Sequence, residues 1–196
     1  MADTRRGVLL ALISGVVWGL APLYFRLLGA ASPLEIVLHR VVWSVPLLAA
    51  ALTITRRWPE LAPVLRDRRR LRILMLSALL IAVNWFVFVY AVSTAQVVEA
   101  SLGYFVNPLL SAALGVLVLG ERPRPLGWCA LLIAALGVGN ELVQFGSPPW
   151  IALGLACSFG TYGLLRKQVG VAADVGLLLE TLVLLPWVLP ALGWLL

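Results

Sequence analysis

The chain has 196 residues, 62% of them hydrophobic and only 12% charged, with a mean hydropathy of +1.00. A soluble domain carries about a quarter charged residues, and a body this small cannot hide so much apolar surface from water, so the excess must face lipid. The net charge of +6 and the pI of about 10.2 do not point to nucleic acid, because the basic residues fall in short tracts between apolar runs and form no single basic face.

Crossing the hydrocarbon core takes about 20 apolar residues in a helix. Seven stretches qualify in chain order, 7–28, 33–54, 72–92, 98–119, 126–144, 149–165 and 175–196. The first follows Arg5 and Arg6, is long enough to span, and reads as a spanning helix, since no small-residue cleavage site precedes another soluble domain. Ser32-Pro33 separates the first two, and the basic tract Arg56 to Arg72 separates the second from the third. Later breaks fall at Ser93 to Gln96, Glu121 to Pro125, Gly146 to Pro149 and Arg166 to Asp174. Ser93 to Gln96 is a polar break, and the others combine polar groups with helix-stopping Gly or Pro, or with a charge cluster. The runs are too long and continuous for barrel strands. The expectation is an all-α polytopic membrane protein with about seven transmembrane helices.

Basic residues then fix an orientation. Arg5 and Arg6 precede the first stretch, and Arg56, Arg57, Arg66, Arg68, Arg69, Arg70 and Arg72 follow the second. Arg122 and Arg124 follow the fourth, and Arg166 and Lys167 follow the sixth. These thirteen occupy alternate connections, and the opposite connections carry none. The positive-inside rule therefore predicts a cytoplasmic N-terminus. Only Arg26 and Arg40 fall within spans.

An internal likeness joins Ser14-Gly-Val-Val-Trp18-Gly19-Leu20 to Ser158-Phe-Gly-Thr-Tyr162-Gly163-Leu164, at an offset of 144 residues. A repeat of five helices enters the membrane inverted in its second copy, and inverted repeats place a transporter's site near the midplane at the repeat interface. Residues 1–144 are then a first five-helix repeat, and 145–196 the start of a second, inverted one.

Particular segments carry a family likeness. GVLLALISGVVWGLAPLYFR (Gly7 to Arg26), EIVLHRVVWS (Glu35 to Ser44), EASLGYFVNPLL (Glu99 to Leu110), LGERPRPLGW (Leu119 to Trp128), SFGTYGLLRK (Ser158 to Lys167) and GLLLETLVLLP (Gly176 to Pro186) run in order through almost the whole chain. Together they resemble the RarD family, within the EamA branch of the drug/metabolite transporter superfamily. The resemblance implies a ten-helix permease of two inverted five-helix repeats in the bacterial inner membrane, with cytoplasmic termini. Against that pattern the chain ends in its seventh helix. The expected function is an inner-membrane permease moving a small organic metabolite or drug. The alternative is a truncated, non-transporting membrane protein or interaction partner.

Ionisable and polar groups inside spans are costly and direct attention to function. Glu35 and His39 lie four apart, hence on one helix face. They read either as a pH-responsive pair or as a helix-terminal carboxylate and a neutral interhelical hydrogen-bonder. Arg40 demands a partner or a wet cavity. Aligning Pro46 with Pro186, at an offset of 140 residues, sets Arg40 opposite Glu180, and the pair is expected to meet unless each reaches cavity water separately. Ser101, Tyr104, Pro108 and Ser111 form one stripe beside Asn107. It reads either as a broken helix lining a pathway or as an ordinary membrane helix containing proline.

Trp18 and Tyr162, at matched repeat positions, either line a cavity or pack between helices. The substrate-pathway candidates are thus Trp18, Arg40, Tyr104, Asn107, Pro108, Tyr162 and Glu180. Glu35, His39 and Glu99 are the proton-coupling candidates. Gly15 and Gly19 form a GxxxG pattern suited to close helix approach, with a homodimer as a candidate assembly. Asn84 reads as an interhelical hydrogen-bonder.

No HExxH, Gly-x-Ser-x-Gly or P-loop pattern occurs, so no enzyme, cofactor or metal is expected. A retinal protein needs a lysine within a span, and Lys167 is the chain's one lysine, outside the spans. Expected partners are the lipid bilayer and an unidentified small-molecule substrate.

Overall fold

The structure, a computed structural model, describes residues 2–29 and 31–195, with side chains from residue 7. The side chains of Arg5 and Arg6, which open the charge argument, lie outside the described residues. Helices α1 (Ala2–Leu27) and α2 (Pro33–Thr55) are followed by a 3-10 turn at Trp58–Glu60 and a short helix α3 (Leu61–Arg66). Five long helices follow: α4 (Arg68–Ser93), α5 (Val97–Leu119), α6 (Pro125–Phe145), α7 (Trp150–Val169) and α8 (Ala173–Leu195). Among the described residues there is no strand.

Six of the long helices, all but α7, are long and apolar enough to cross a membrane. Helix α7 matches them in length, but Arg166 and Lys167 in its last turn lower its hydropathy. The polytopic helical architecture stands on those six.

Local chemistry sets the helix ends. Ser32 caps α2, its hydroxyl accepting from the Glu35 N–H at 3.2 Å, with Pro33 in the first turn where no amide donor is needed. Helix α2 stops at Arg56, which takes a left-handed conformation (φ 56°) and turns its N–H back to Leu52 and Thr53. The basic tract is not a plain loop, because Arg68, Arg69, Arg70 and Arg72 belong to the start of α4. Positive charge there opposes the helix dipole. Asp67 compensates as N-cap, its carboxylate accepting from the Arg69 and Arg70 N–H groups. Gly170 ends α7 at φ 62°, a conformation other residues adopt only with strain.

Helix α4 is the hub. It packs on α2, α7 and α8, and α7 also lies along α5. The α5 and α7 backbones come close at Gly103, where an added Cβ would stand 3.1 Å from both the Ala152 carbonyl oxygen and the Leu155 Cβ. A small residue lets those two backbones meet, which is how membrane helices gain dispersion contact. One core cluster holds Val41, Trp85, Val89, Ala100, Leu155 and Leu192. A second holds Leu52, Val64, Leu74, Val175 and Leu178. Helices α7 and α8 therefore share a core with α2, α4 and α5.

By contrast, α6 buries no residue and, among its described side chains, α1 buries only Phe25. Nothing lies within 4 Å of where a Cβ would stand on Gly15 or Gly19, so the GxxxG pattern makes no close helix contact among the described residues.

The basic connections gather at one end of the bundle. Arg57 donates to Asp174 at 2.9 Å, and Lys167 pairs with Glu121. Arg57 also donates to both Glu60 oxygens, and this contact holds the Glu60 carboxyl below its ordinary range.

Candidate functional site

Between these helices lies a cavity of about 510 Å³, within the size range of small-molecule sites. Helix α1 supplies Trp18, α2 supplies Arg40, and α4 supplies Asn84 and Trp85. Tyr104 and Asn107 come from α5, Phe159 and Tyr162 from α7, and Leu177 from α8. Five of the seven residues proposed for a pathway from sequence thus meet around one space: Trp18, Arg40, Tyr104, Asn107 and Tyr162.

Arg40 is the one ionised side chain on this wall. It sits seven residues into α2, roughly 10 Å along the axis. Its guanidinium lies over the Trp85 ring, 4.2 Å from the centroid, with the Trp18 ring at 5.6 Å. Placing an arginine at mid-membrane costs at least about 2.5–3.5 kcal/mol, whereas a desolvated cation–π contact returns about 2 kcal/mol. The rings offset part of the cost. Among the described residues no carboxylate stands within ion-pair distance of Arg40, and its side chain makes no hydrogen bond there.

The expected Arg40–Glu180 pair is therefore corrected. Glu180 is 0% exposed and faces α4 and α7. It accepts hydrogen bonds from the Ser77 hydroxyl at 2.6 Å and the Tyr162 hydroxyl at 3.2 Å. Its ionic partner is Arg166, at 3.5 Å. The sequence reading put Arg166 in a loop, but α7 continues through it to Val169, and its side chain is only 13% exposed. The same guanidinium donates to the Val171 and Ala172 carbonyls beyond the helix end. Glu180 lies one layer behind the cavity, and the Tyr162 hydroxyl connects the two.

Pro108 is absent from the wall, and α5 runs unbroken from Val97 to Leu119, so the broken-helix reading is corrected. Flanking turns hold the helix together across the one lost amide donor. Glu35 and His39 share a face, as their spacing requires, and line a second space of about 910 Å³ beside α1, with Arg40 bordering both it and the cavity. No ion pair joins them among the described residues. Glu99 accepts from the Ile151 N–H at 2.8 Å and thereby caps α7 from a neighbouring helix. Asn84 donates to the Leu155 carbonyl and the Ser158 hydroxyl, tying α4 to α7.

The sequence reading missed Trp85, Phe159, Ser77 and the role of Arg166. Trp85 did carry a signal, since it follows Asn84 inside a span, but its place under Arg40 depends on how α2 packs on α4. Neighbouring rings fix the wall: Phe88 meets Tyr104 edge-on at 5.9 Å, and Phe159 tilts against Tyr162 at 5.8 Å.

Comparison with known proteins gives one consistent result. The model of the EamA-like transporter family matches residues 5–139. The chain is 49% identical to an uncharacterized transporter of Vibrio cholerae, over 98% of this chain and 64% of that protein. It is 46% identical to Protein RarD of Escherichia coli, over 94% of this chain and 62% of that protein. It is 36% identical to the chloramphenicol-sensitive protein RarD of Pseudomonas aeruginosa, over 100% of this chain and 67% of that protein. The chain thus spans less than two thirds of the first two relatives. No solved structure matches it.

Proposed function

The chain belongs to the EamA-like transporter family, and on that premise we propose that it forms the substrate-binding part of a permease moving a small organic metabolite or drug across the bacterial inner membrane. The observation carrying this reading is the cavity whose wall combines Trp18, Trp85, Tyr104 and Tyr162 with Arg40. Apolar rings with a few placed polar groups suit a small organic solute. In this reading the protein works by alternating access, the N-terminus is cytoplasmic, and 145–196 begins a second, inverted repeat. Trp18 and Tyr162, matched in the internal likeness, face the same space, which supports the repeat. The meeting of Arg57 with Asp174 and of Lys167 with Glu121 supports one shared basic end.

The test is solute flux. Vesicles containing the purified chain are screened with labelled metabolites and drugs, and any solute moved is re-assayed with Tyr104→Ala and Tyr162→Ala. Loss of flux with retained folding supports the reading, and flux indifferent to both substitutions refutes it. Fusions of a topology reporter after Arg72 and Arg124 should read cytoplasmic, and one near Gln96 external.

A second reading is favoured by the sparse burial of α1 and α6. It is a membrane protein that acts only by assembling with other helices. Vesicles in which the chain moves no solute alone, but does so with a co-expressed helical partner, would decide for it.

A further inference from the structure

We infer that the central cavity selects a flat aromatic solute bearing one negative charge, with the anionic group on Arg40 and the ring among the wall's aromatic side chains. This rests on the transport reading of the same cavity and adds the chemical class of its ligand.

Charge carries the first half of the argument. The two inward-facing arginines are treated differently. Arg166 has Glu180 and two backbone carbonyls. Among the described residues Arg40 has only the Trp85 and Trp18 rings as partners, and it lines the cavity. A guanidinium over Trp85 with no carboxylate or hydrogen-bond partner among the described residues has N–H groups left to grip a carboxylate through two parallel bonds. One fixed positive charge and no carboxylate on the wall match a single negative charge. A second anionic group would find no counter-ion. A zwitterion's ammonium would stand close to Arg40, where like charge repels it.

Shape carries the second half. Trp18, Trp85, Tyr104 and Tyr162 present rings to a space of about 510 Å³, enough for one or two fused rings. The Phe88–Tyr104 and Phe159–Tyr162 contacts hold those rings in place, so little side-chain order is lost when a flat ligand enters. A flat π-face stacks on such walls better than a puckered ring of equal size.

The experiment is equilibrium dialysis of the purified full chain in a neutral detergent, with protein-free micelles subtracted. The probes are 2-naphthoate, its neutral isostere 2-naphthamide, the zwitterion 3-(2-naphthyl)alanine, and decalin-2-carboxylate, which keeps the charge and loses the flatness. Naphthoate should bind at least about tenfold more tightly than the amide, as a charge-assisted bond requires, and more tightly than the other two. Arg40→Gln should erase the preference for naphthoate over the amide, and Arg40→Lys should keep a reduced one.

Amide and naphthoate affinities within twofold of each other in the unmodified chain overturn the inference, whether or not the Gln variant folds. So does a preference that survives Arg40→Gln, and so does binding of no probe. Equal affinity for decalin-2-carboxylate overturns the claim of flatness. A phospholipid that co-purifies in native mass spectrometry, is lost with Arg40→Gln and is not displaced by naphthoate would assign the arginine to a lipid headgroup and also overturn it. Flux separates this result from the transport reading. Arg40-dependent binding of naphthoate without flux keeps the site and refutes transport, whereas flux of naphthamide without anion preference does the reverse.

Discussion

The Arg166–Glu180 contact makes the most demanding prediction. Glu180 is fully buried and Arg166 nearly so, and at 3.5 Å they form an ion pair rather than a short hydrogen bond. Replacing Glu180 with Ala leaves a guanidinium buried without its counter-charge, which costs about 3–5 kcal/mol. For a chain of this length that lowers the melting temperature by about 6–20 °C. Arg166→Ala should cost more than Glu180→Ala, because it also releases the Val171 and Ala172 carbonyls that finish α7. The apolar double variant Arg166→Met with Glu180→Leu removes both charges together, so its loss should fall short of the summed single losses by about 1.5–3 kcal/mol. Gly176 offers an independent handle, since a Cβ there would collide with the Arg166 guanidinium. Gly176→Ala should cost about 1–3 kcal/mol in the parent chain and little in the Arg166→Met background. Thermal unfolding of the detergent-solubilised variants reads all of these. Strict additivity of Arg166 and Glu180, or a Gly176→Ala penalty unchanged by removing Arg166, would refute the pairing.

Three further outcomes follow from single contacts. Tyr162→Phe keeps the cavity ring and removes the hydroxyl bond to Glu180, so it should lower stability by about 1 kcal/mol while leaving 2-naphthoate affinity within twofold; a large loss of affinity would make the hydroxyl a ligand contact. Glu99→Gln keeps an acceptor for the Ile151 N–H and Glu99→Ala does not, so only the Ala variant should lose stability, by about 0.5–2 kcal/mol on the scale of helix caps. Equal losses would show that the charge, and not the cap, is what matters. Glu60 is held below its ordinary range chiefly by the hydrogen bond from Arg57, so its folded value is the lower one. Its contribution is complete at neutral pH and is lost as pH falls through that lowered value. Glu60→Gln should therefore flatten the fall in stability between about pH 5 and pH 3, and an unchanged acid limb in a melting-temperature series would contradict the assignment.

The sequence was legible where a local rule sufficed. Ser32-Pro33 and Gly170 stop or start helices through their own backbone and capping chemistry. Trp18, Tyr104, Asn107 and Tyr162 stood out as polar or aromatic positions inside apolar runs, and all four reach the cavity. What failed depended on the relative register of helices distant in sequence. Arg166 follows an apolar run that ends at Leu165, so hydropathy closed the helix one turn early. Only its side-chain contact with Glu180 of α8 shows it turned inward. Aligning Pro46 with Pro186 related Arg40 to Glu180 by repeat position, but equivalent positions need not touch. Pro108 looked like a break because one residue's missing donor was weighed without the intact turns on either side. Gly15 and Gly19 have the spacing for close packing, yet α1 presents them to no neighbour among the described residues.

The two inward arginines are best understood together. A carboxylate inside the bundle can neutralise only one guanidinium well, and Glu180 is also held by Ser77 and Tyr162. These bonds orient its oxygens toward α4 and α7, away from α2. Arg166 then reaches it from the last turn of α7, with a stem short enough to keep its other donors on the Val171 and Ala172 carbonyls. That arrangement satisfies Glu180 and removes it as a counter-ion for the cavity. Arg40 is left with ring faces that orient it and do not discharge it. Stability and recognition are thereby divided between two residues of the same type. The Tyr162 side chain, with its ring on the cavity and its hydroxyl on Glu180, is the one described contact through which the two arrangements touch.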